Sequence, residues 1–413
     1  MRVWAIGICS HFPIPKTDSD EKEGDGMLNY RLVQRTKVLA GRGMIAKLPE
    51  LLRDAGFTKP CLVFDKGVES AGIIKRITNI LSRAEFSYHT YNKITADPTS
   101  DIVDDGASIH LSGNCDCIVA IGGGSTMDAA KGINVMCHNK GRILDYAGHE
   151  DQMNPAAGLI CIPTTSGTGS ELSNWIVISD LETGAKHPIN VINSMAEYAL
   201  LDPELTVGLP PQITAATGMD VFCHAFEAYT SELSNISTDL ICEKIMETVI
   251  RYLPRAVETG YDIVARERLM MASSYGGWML VDGLVHIGHC ISHEIGAAFH
   301  VPHGAACAYA FPAMVHHIAL VRSDKIRYVG ELLGVTFTGT EGYREIADKT
   351  IEAFIHFRDH LIHLRPLSDY KPDLSKVNLH MAEAILADPI TALTPAPVTL
   401  EDVCYMLYTT FIQ

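Results

Sequence analysis

Residues 115–132 read CDCIVAIGGGSTMDAAKG, an apolar run that ends in three glycines and continues into a good helix-forming segment. Such a run is typical of a buried strand, and a glycine turn that leads into a helix N-terminus can bind a phosphate. Backbone N–H groups face the anion there, and the missing side chains permit close approach. The same pattern also fits a tight strand-to-helix turn without a ligand, so its meaning depends on the rest of the chain.

Strand and helix patterns alternate around this stretch. Residues 61–65 (CLVFD) and 158–165 (GLICIPTT) have the apolar character of strands, and residues 70–84 have the spacing of an amphipathic helix. Near-continuous apolar strands that alternate with helices indicate a parallel sheet covered on both faces. The sequence therefore predicts an α/β dinucleotide-binding domain with a Rossmann-like parallel sheet.

The second half of the chain has a different pattern. From about residue 205 onward, apolar residues recur at a spacing near 3.6 and strand patterns nearly vanish. The pair Pro210-Pro211 marks the expected joint, and Thr214 is available as a helix N-cap. We therefore predict an all-α C-terminal domain.

Length and charge limit the class of protein. A chain of 413 residues exceeds one typical core, and we predict a flexible leader over residues 1–27 (or a start site at Met27), a nucleotide domain over 28–207 and a helical domain over 208–413. The formal net charge of −16 argues against a nucleic acid or an anionic membrane as partner. No apolar run reaches the roughly 18 residues of a membrane span. Without a targeting signal, we expect a cytoplasmic protein.

Most of the 11 cysteines lie inside apolar runs, as reduced thiols do when they serve as small core residues. Cys115 and Cys117 are separated by one residue, but they lie in a strand-like run. No second cysteine pair occurs at zinc-site spacing. A structural role for this pair is therefore favoured over metal binding.

A second loop, PTTSGTGSE (163–171), is rich in hydroxyls and glycine and also follows a strand. The carboxyl ends of parallel strands share one edge of the sheet, where open α/β folds bind ligands. Asp65 ends an earlier strand, and a carboxylate there accepts a hydrogen bond from a ribose 2′-hydroxyl and repels a 2′-phosphate. This favours NAD over NADP, although aspartate at a strand end is also a common turn residue.

Asp220 and His224 lie four residues apart in apolar surroundings, a spacing that stacks both side chains on one face of a helix. Five histidines follow within a short stretch: His286, His289, His293, His300 and His303. Three or four imidazoles with one carboxylate suit Zn²⁺ or Fe²⁺. Spacing alone leaves open which histidines bind, and a buried Asp–His hydrogen bond would also explain the first pair.

Several ordered motifs resemble the iron-containing (group III) alcohol dehydrogenase family over roughly residues 28–413. They are GGGSTMDAAKG, IPTTSGTGSE, AATGMDVFCHAFEAY, HCISHEIGAAFHVPHG and DPITALTPAPVTLEDV. The resemblance implies a dinucleotide-binding α/β domain, a helical metal domain and a homodimer or larger homo-oligomer. It also implies a small alcohol or aldehyde as substrate, NAD as cofactor and Fe²⁺ as metal, with Zn²⁺ as the alternative.

The resemblance also assigns site residues. The family pattern Asp-x₃-His, then His, then Pro-His-Gly implies the metal ligands Asp220, His224, His289 and His303. It implies a catalytic role for His293, which is not a ligand in this pattern, near substrate and nicotinamide. The implied cofactor contacts are Asp65, Gly122, Gly123, Gly124, Ser125, Asp128, Thr164, Thr165 and Lys186.

Two departures from the family pattern concern the substrate. Residues 281–286 read VDGLVH where the family often has Asn-x-Gly-x-Gly, and residues 293–296 read HEIG where HPLG is common. We expect Asp282 and His286 to add polarity to the substrate pocket and Trp175 to narrow it. A named substrate therefore does not transfer from relatives.

The predicted reaction is hydride transfer between NAD and a small primary alcohol, diol or substituted alcohol, with His293 as proton relay. The alternatives are a polyol (glycerol-type) dehydrogenase, a non-redox lyase similar to dehydroquinate synthase, and a metal- or NAD-binding protein without turnover. The lyase needs several basic residues for a phosphorylated, carboxylated substrate, and the helical half has no obvious set.

Overall fold

A six-stranded parallel sheet forms the N-terminal half of the chain in the computed structural model, which describes residues 32–183 and 185–412. The predicted leader over residues 1–27 lies outside the described residues. The strands of the sheet are β1 (Lys37–Ala40), β2 (Pro60–Asp65), β3 (His89–Ile94), β4 (Cys117–Gly122), β5 (Leu159–Pro163) and β8 (Tyr198–Leu201). A separate antiparallel pair comprises β6 (Trp175–Ser179) and β7 (Lys186–Asn190).

The order of strands in the sheet is β1-β8-β5-β4-β2-β3. From β2 the chain continues outward to β3 on one side, whereas from β4 it continues to β5 on the other side. The neighbouring strands β2 and β4 therefore flank a topological switch point, where the two connections diverge and leave a crevice at the carboxyl ends. Asp65 ends one of these strands and Gly122 ends the other, so the sheet brings two predicted cofactor residues to this crevice.

Alternate residues of the central strands face opposite sides of the sheet, as the pleat requires. Cys61 and Val63 of β2 lie in one apolar cluster, and Leu62 and Phe64 lie in another. Five helices pack around the sheet: α1 (Leu48–Asp54), α2 (Lys66–Ser70), α3 (Ile73–Arg83), α4 (Ser100–Ser112) and α5 (Gly124–His138). The α/β fold class is thus as predicted.

The C-terminal half is helical and has its own large apolar core. Its helices are α6 (Pro211–Thr230), α7 (Ile236–Glu258), α8 (Ile263–Asp282), α9 (Ile287–Phe299), α10 (His303–Leu332), α11 (Tyr343–His356), α12 (Leu379–Ala387) and α13 (Leu400–Phe411). Among the described helices, α10 has the length and hydropathy of a membrane span, but 78% of its apolar window is buried inside the protein. It is the core helix against which α6, α9 and α11 pack.

The structure corrects two local predictions. Helix α6 begins at Pro211 after Pro210, so Thr214 lies inside the helix, where its hydroxyl accepts a hydrogen bond from Arg266 instead of capping the end. The N-cap assignment was wrong because proline at the first helical position needs no hydroxyl partner. The β6/β7 hairpin was not anticipated, since its two strands are short, and apolar and polar residue types do not alternate regularly along their sequences.

Candidate active site

Three helix segments bring one carboxylate and three imidazoles together. Helix α6 carries Asp220 and His224 one turn apart, α9 carries His289, and α10 begins at His303. Asp220 Oδ1 lies 3.6 Å from His224 Nε2, 4.0 Å from His289 Nε2 and 3.5 Å from His303 Nε2. These separations are longer than hydrogen bonds and suit atoms that share a central cation. We call these four residues the four-donor centre.

The donor atoms of this centre fit a divalent metal. All four lie within 4.8 Å of one another. Asp220 Oδ1 is buried and has no hydrogen-bond partner among the described residues. A buried carboxylate without hydrogen bonds is costly unless a cation compensates its charge. One carboxylate oxygen with three imidazole nitrogens is a donor set for Fe²⁺ or Zn²⁺.

Close backbone packing holds the two ends of the centre together. A Cβ atom at Gly304 would lie 2.0 Å from the carbonyl oxygen of Ala216 and 2.8 Å from Asp220 Cβ. Only glycine therefore permits the first turn of α10 to approach α6 so closely. The glycine that follows His303 in the Pro-His-Gly motif thus has a structural reason.

Glu227 supports the four-donor centre through a hydrogen bond to His289, a role that the sequence analysis missed. Its Oε1 accepts a hydrogen bond of 2.6 Å from His289 Nδ1. Its Oε2 accepts bonds from the backbone N–H groups of His286 (2.8 Å) and His289 (3.2 Å). With Nδ1 as donor, His289 keeps the lone pair of Nε2 for a metal. Glu227 lies seven residues after Asp220, two turns along the same face of α6, and this spacing was the available signal.

Burial also prepares the imidazoles for metal binding. Desolvation lowers the pKa of His289 well below its ordinary value, so the ring is neutral near pH 7. The side chains of Asp220, His224 and His289 are at most 4% exposed, whereas that of His303 is 39% exposed. The centre is therefore closed toward the core and open on the side of His303.

His293 lies on this open side. Its ring stacks on that of His303 at a centroid distance of 5.5 Å, and its side chain is 33% exposed. Its Nδ1 is 3.4 Å from Asp388 Oδ2, a partner that the sequence analysis did not identify. His293 thus lies beside the four-donor centre without belonging to it, with a carboxylate on one nitrogen.

Asp282 and His286 do not form the polar pocket pair that the sequence suggested. His286 is fully buried, with Nε2 3.0 Å from Thr230 Oγ1. Asp282 accepts a hydrogen bond from the backbone N–H of Val33. His286 follows the end of α8, and its side chain lies in the core of the helical half. Trp175 donates a hydrogen bond from Nε1 to the carbonyl of Leu280 and so joins the β6/β7 hairpin to α8.

The glycine loop, residues 122–125, connects β4 to α5. Its Gly123 is the N-cap of α5 and has no side chain that could accept a hydrogen bond from the N–H groups of the first turn, which includes Ser125. A Cβ at Gly122 would lie 2.4 Å from Thr126 Oγ1, and one at Gly124 would lie 2.6 Å from Thr168 Cγ2. The loop therefore needs glycine for its own packing, and it leaves a positive helix end at the crevice.

The other predicted cofactor residues surround this loop. Thr126 donates a hydrogen bond of 3.1 Å to Asp65 Oδ2, while Asp65 Oδ1 caps α2. Asp65 is thus both a turn residue and a neighbour of the glycine loop. The backbone N–H of Thr164 donates to the carbonyl of Gly122 (2.9 Å), and Thr165 packs near Gly123.

Asp128 and Lys186, which were both predicted to contact the cofactor, have side-chain partners within the protein. Asp128 accepts a hydrogen bond of 2.7 Å from Ser170, whose oxygen accepts one of 2.8 Å from the buried Lys131. Lys186 lies on β7 and makes an ion pair of 2.6 Å with Asp97. Asp128 therefore fastens α5 to the second loop, residues 163–171.

Fold and site together define a two-part oxidoreductase, with a dinucleotide crevice in an α/β half and an Asp/His₃ centre in a helical half. Family comparison agrees, since residues 35–203 match the iron-containing alcohol dehydrogenase family and residues 214–411 match the C-terminal part of the Fe-containing alcohol dehydrogenase family. The chain belongs to the iron-containing alcohol dehydrogenase family, and it is an oxidoreductase of the alcohol dehydrogenase type.

Individual relatives agree with this assignment. Alcohol dehydrogenase 4 of Schizosaccharomyces pombe is 33% identical over 333 residues, which cover 79% of this chain and 78% of that protein. The crystal structure of a 1,3-propanediol oxidoreductase superposes with a TM-score of 0.87 at 29% identity, covering 94% of this chain and 100% of that one. Sulfoacetaldehyde reductase from Bifidobacterium kashiwanohense, solved with NAD⁺, has a TM-score of 0.81 at 25% identity, covering 93% and 98%. These relatives favour a dehydrogenase over the lyase and non-catalytic alternatives.

Proposed function

We propose that the protein is a metal-dependent, NAD(H)-linked alcohol dehydrogenase or aldehyde reductase that acts on a small primary alcohol, diol or substituted alcohol. The observation that carries this proposal is the buried, unpartnered Asp220 Oδ1 with three imidazole nitrogens at 3.5–4.0 Å. When bound, NAD(H) exchanges the hydride and a divalent cation supplies Lewis-acid stabilisation of charge on the substrate oxygen. Fe²⁺ is the proposed cation, and Zn²⁺ fits the same donors.

The four ligands would be held by the chain's own contacts. Glu227 fixes the orientation of His289, and Gly304 permits the approach of His303 to Asp220. The exposed edge of His303 leaves one side on which a substrate oxygen can approach. Preformed ligands of this kind lose little freedom when they bind, which favours tight binding.

The cofactor would lie between the two halves, with its pyrophosphate at the glycine loop. The uncapped N–H groups of α5 would donate to the phosphate oxygens. Asp65 lies beside this loop through Thr126 and would accept from the adenosine ribose, which favours NAD over NADP.

His293 would hold or pass the proton that the alcohol loses. It is partly exposed, so it connects the interior of the centre with solvent. Asp388 Oδ2, at 3.4 Å from Nδ1, would orient the ring. If this relay operates, His293→Ala lowers kcat for alcohol oxidation without lowering metal content. An unchanged kcat at every pH would eliminate the relay.

The direct test is oxidation of NADH, followed by its absorbance, with a panel of short aldehydes, hydroxy- and amino-aldehydes and dihydroxyacetone after anaerobic loading with Fe²⁺ or Zn²⁺. We expect metal-dependent turnover with at least one short aldehyde. After loading with Fe²⁺, His289→Ala should lose the bound iron and the activity together, whereas the control His316→Ala, which alters a half-exposed histidine on α10, should keep both. Preference for dihydroxyacetone would favour the polyol alternative, and an active, metal-free His289→Ala protein would refute the ligand assignment.

Location in the cytoplasm and assembly into a homodimer or larger homo-oligomer remain part of this proposal. The acidic net charge supports the expectation that neither a nucleic acid nor a membrane is a partner. Light scattering after size-exclusion chromatography measures the assembly directly, and a monomer at micromolar concentration would contradict it.

A further inference from the structure

A second cluster of side chains that could bind a metal lies at the amino-terminal ends of strands β2 and β4, opposite the crevice at their carboxyl ends. It comprises Cys61 near the start of β2, His110 in the last turn of α4, and Cys115 just before β4. One ligand atom from each lies within 4.8 Å of the others. We call these three residues the thiol–imidazole cluster.

The backbone after α4 builds this cluster. Asn114 has a φ of 47°, in the left-handed region, and so reverses the direction of the chain. The N–H of Cys115 then donates a hydrogen bond of 3.1 Å to the carbonyl of His110. Pairing of β2 with β4 brings Cys61 to the same place from a distant part of the sequence.

His110 is an unusual residue in this position. It is only 7% exposed, and its Nδ1 is buried without a hydrogen-bond partner among the described residues. A buried nitrogen without a hydrogen bond is costly, so such groups are rare unless something binds to them. Two thiols beside a neutral imidazole provide a reason, since all three are ligands for one kind of cation.

We propose that the thiol–imidazole cluster binds a thiophilic cation, Zn²⁺ in the cell, through Cys61, His110 and Cys115, with water at the fourth position. Two sulfur ligands and one nitrogen ligand select Zn²⁺ over Fe²⁺, Mn²⁺ or Mg²⁺. The four-donor centre offers nitrogen and oxygen only, so the two sites differ in the metals that they prefer.

Binding at this cluster exchanges protons for the cation. Burial raises the pKa of the Cys61 thiol to about 12 and also raises that of Cys115. Both thiols are therefore protonated near pH 7, and both protons leave as the two sulfur–metal bonds form. The half-buried Cys115 provides the entry path from solvent.

The site has a structural and not a catalytic place in the molecule. Strand β4 begins at Cys117 and ends at Gly122. At a rise of roughly 3.3 Å per residue, the cluster at the start of the strand lies about 17 Å from the crevice at its carboxyl end. A cation at the cluster would tie together the starts of β2 and β4 and the end of α4. It would raise the melting temperature without contacting substrate or cofactor.

The test compares two variants, Cys115→Ser and His110→Ala, with the control Cys117→Ala in the full chain. Cys117 has the same chemistry two residues further on, but it lies in the apolar cluster on the other face of the sheet. Each protein is loaded anaerobically with Co²⁺. Elemental mass spectrometry measures the number of bound ions per chain, and the thiolate-to-Co²⁺ charge-transfer absorption reports whether sulfur binds the ion. Circular dichroism verifies that each loaded protein is folded.

We expect the wild type and Cys117→Ala to bind two Co²⁺ per chain and to show the charge-transfer band. Each cluster variant should bind one Co²⁺ and lose most of the band, while its NADH-dependent activity stays unchanged. A wild type that binds one Co²⁺, or cluster variants that keep both ions and the band, would overturn the proposal. A Cys61–Cys115 disulfide in protein purified without oxidant would also overturn it, because the pair would then be a redox pair.

Discussion

Substitution of Glu227 by glutamine is expected to weaken metal binding although no ligand is removed. Glu227 accepts three hydrogen bonds, one from His289 Nδ1 and two from the backbone N–H groups of His286 and His289. Glutamine fits the same space, but it has one acceptor oxygen and one donor group. If the oxygen faces His289 Nδ1, the amide group meets two N–H donors and both lose their acceptor.

The size of the effect follows from these contacts. Glutamine removes the negative charge that strengthens the 2.6 Å bond to His289 and therefore makes Nε2 a weaker ligand. Loss of such a carboxylate partner typically costs about 10–100-fold in metal affinity. This corresponds to roughly 1.4–2.8 kcal/mol, since each 1.4 kcal/mol is a factor of ten.

The assay is a competition titration of Fe²⁺ between the protein and a chelator of known affinity. The matched control is Glu243→Gln on α7, where the carboxylate accepts a hydrogen bond of 2.9 Å from the hydroxyl of Tyr229. We expect a higher metal Kd for Glu227→Gln and an unchanged one for the control. A folded Glu227→Gln protein with the metal Kd of the wild type would refute the reasoning that Glu227 makes His289 Nε2 a stronger metal ligand.

Three further predictions concern the cofactor and the core. Asp65→Ser should raise the kcat/KM for NADPH relative to NADH by roughly 5–30-fold, since removal of a like charge near a 2′-phosphate is worth about 1–2 kcal/mol; an unchanged ratio would remove Asp65 from the ribose site. Gly122→Ala should weaken NADH binding at least about tenfold in a fluorescence titration, because the new Cβ would lie 2.4 Å from Thr126 Oγ1 and shift the helix start, whereas Gly208→Ala has open space and should bind normally. Burial lowers the pKa of His286 from 6.5 to about 4, so the unfolded state binds more protons between these values and stability falls as the pH drops below 6.5. This loss of stability is at most about 3 kcal/mol near pH 4. His286→Gln should therefore make the melting temperature depend less on pH over that range. An unchanged dependence of the melting temperature on pH would contradict the prediction.

The local elements were largely predictable from the sequence. The apolar run before Gly122, the strand ending at Asp65 and the helix carrying Asp220 and His224 all follow from periodicity, which is a short-range property of the chain. The ligand set followed from family resemblance, because spacing alone left several histidines equivalent. The structure brings the donor atoms of all four residues together.

Tertiary structure alone decided which distant groups meet. Glu227 reaches His289 across two helices, Asp388 reaches His293 from almost a hundred residues away, and Cys61 meets Cys115 through strand pairing. A pattern of residues encodes which face of an element is apolar, but many packings satisfy the same faces. The partner of each polar group depends on the one packing that the chain adopts. That packing therefore determines which charges, hydrogen-bonding groups and metal ligands come into contact.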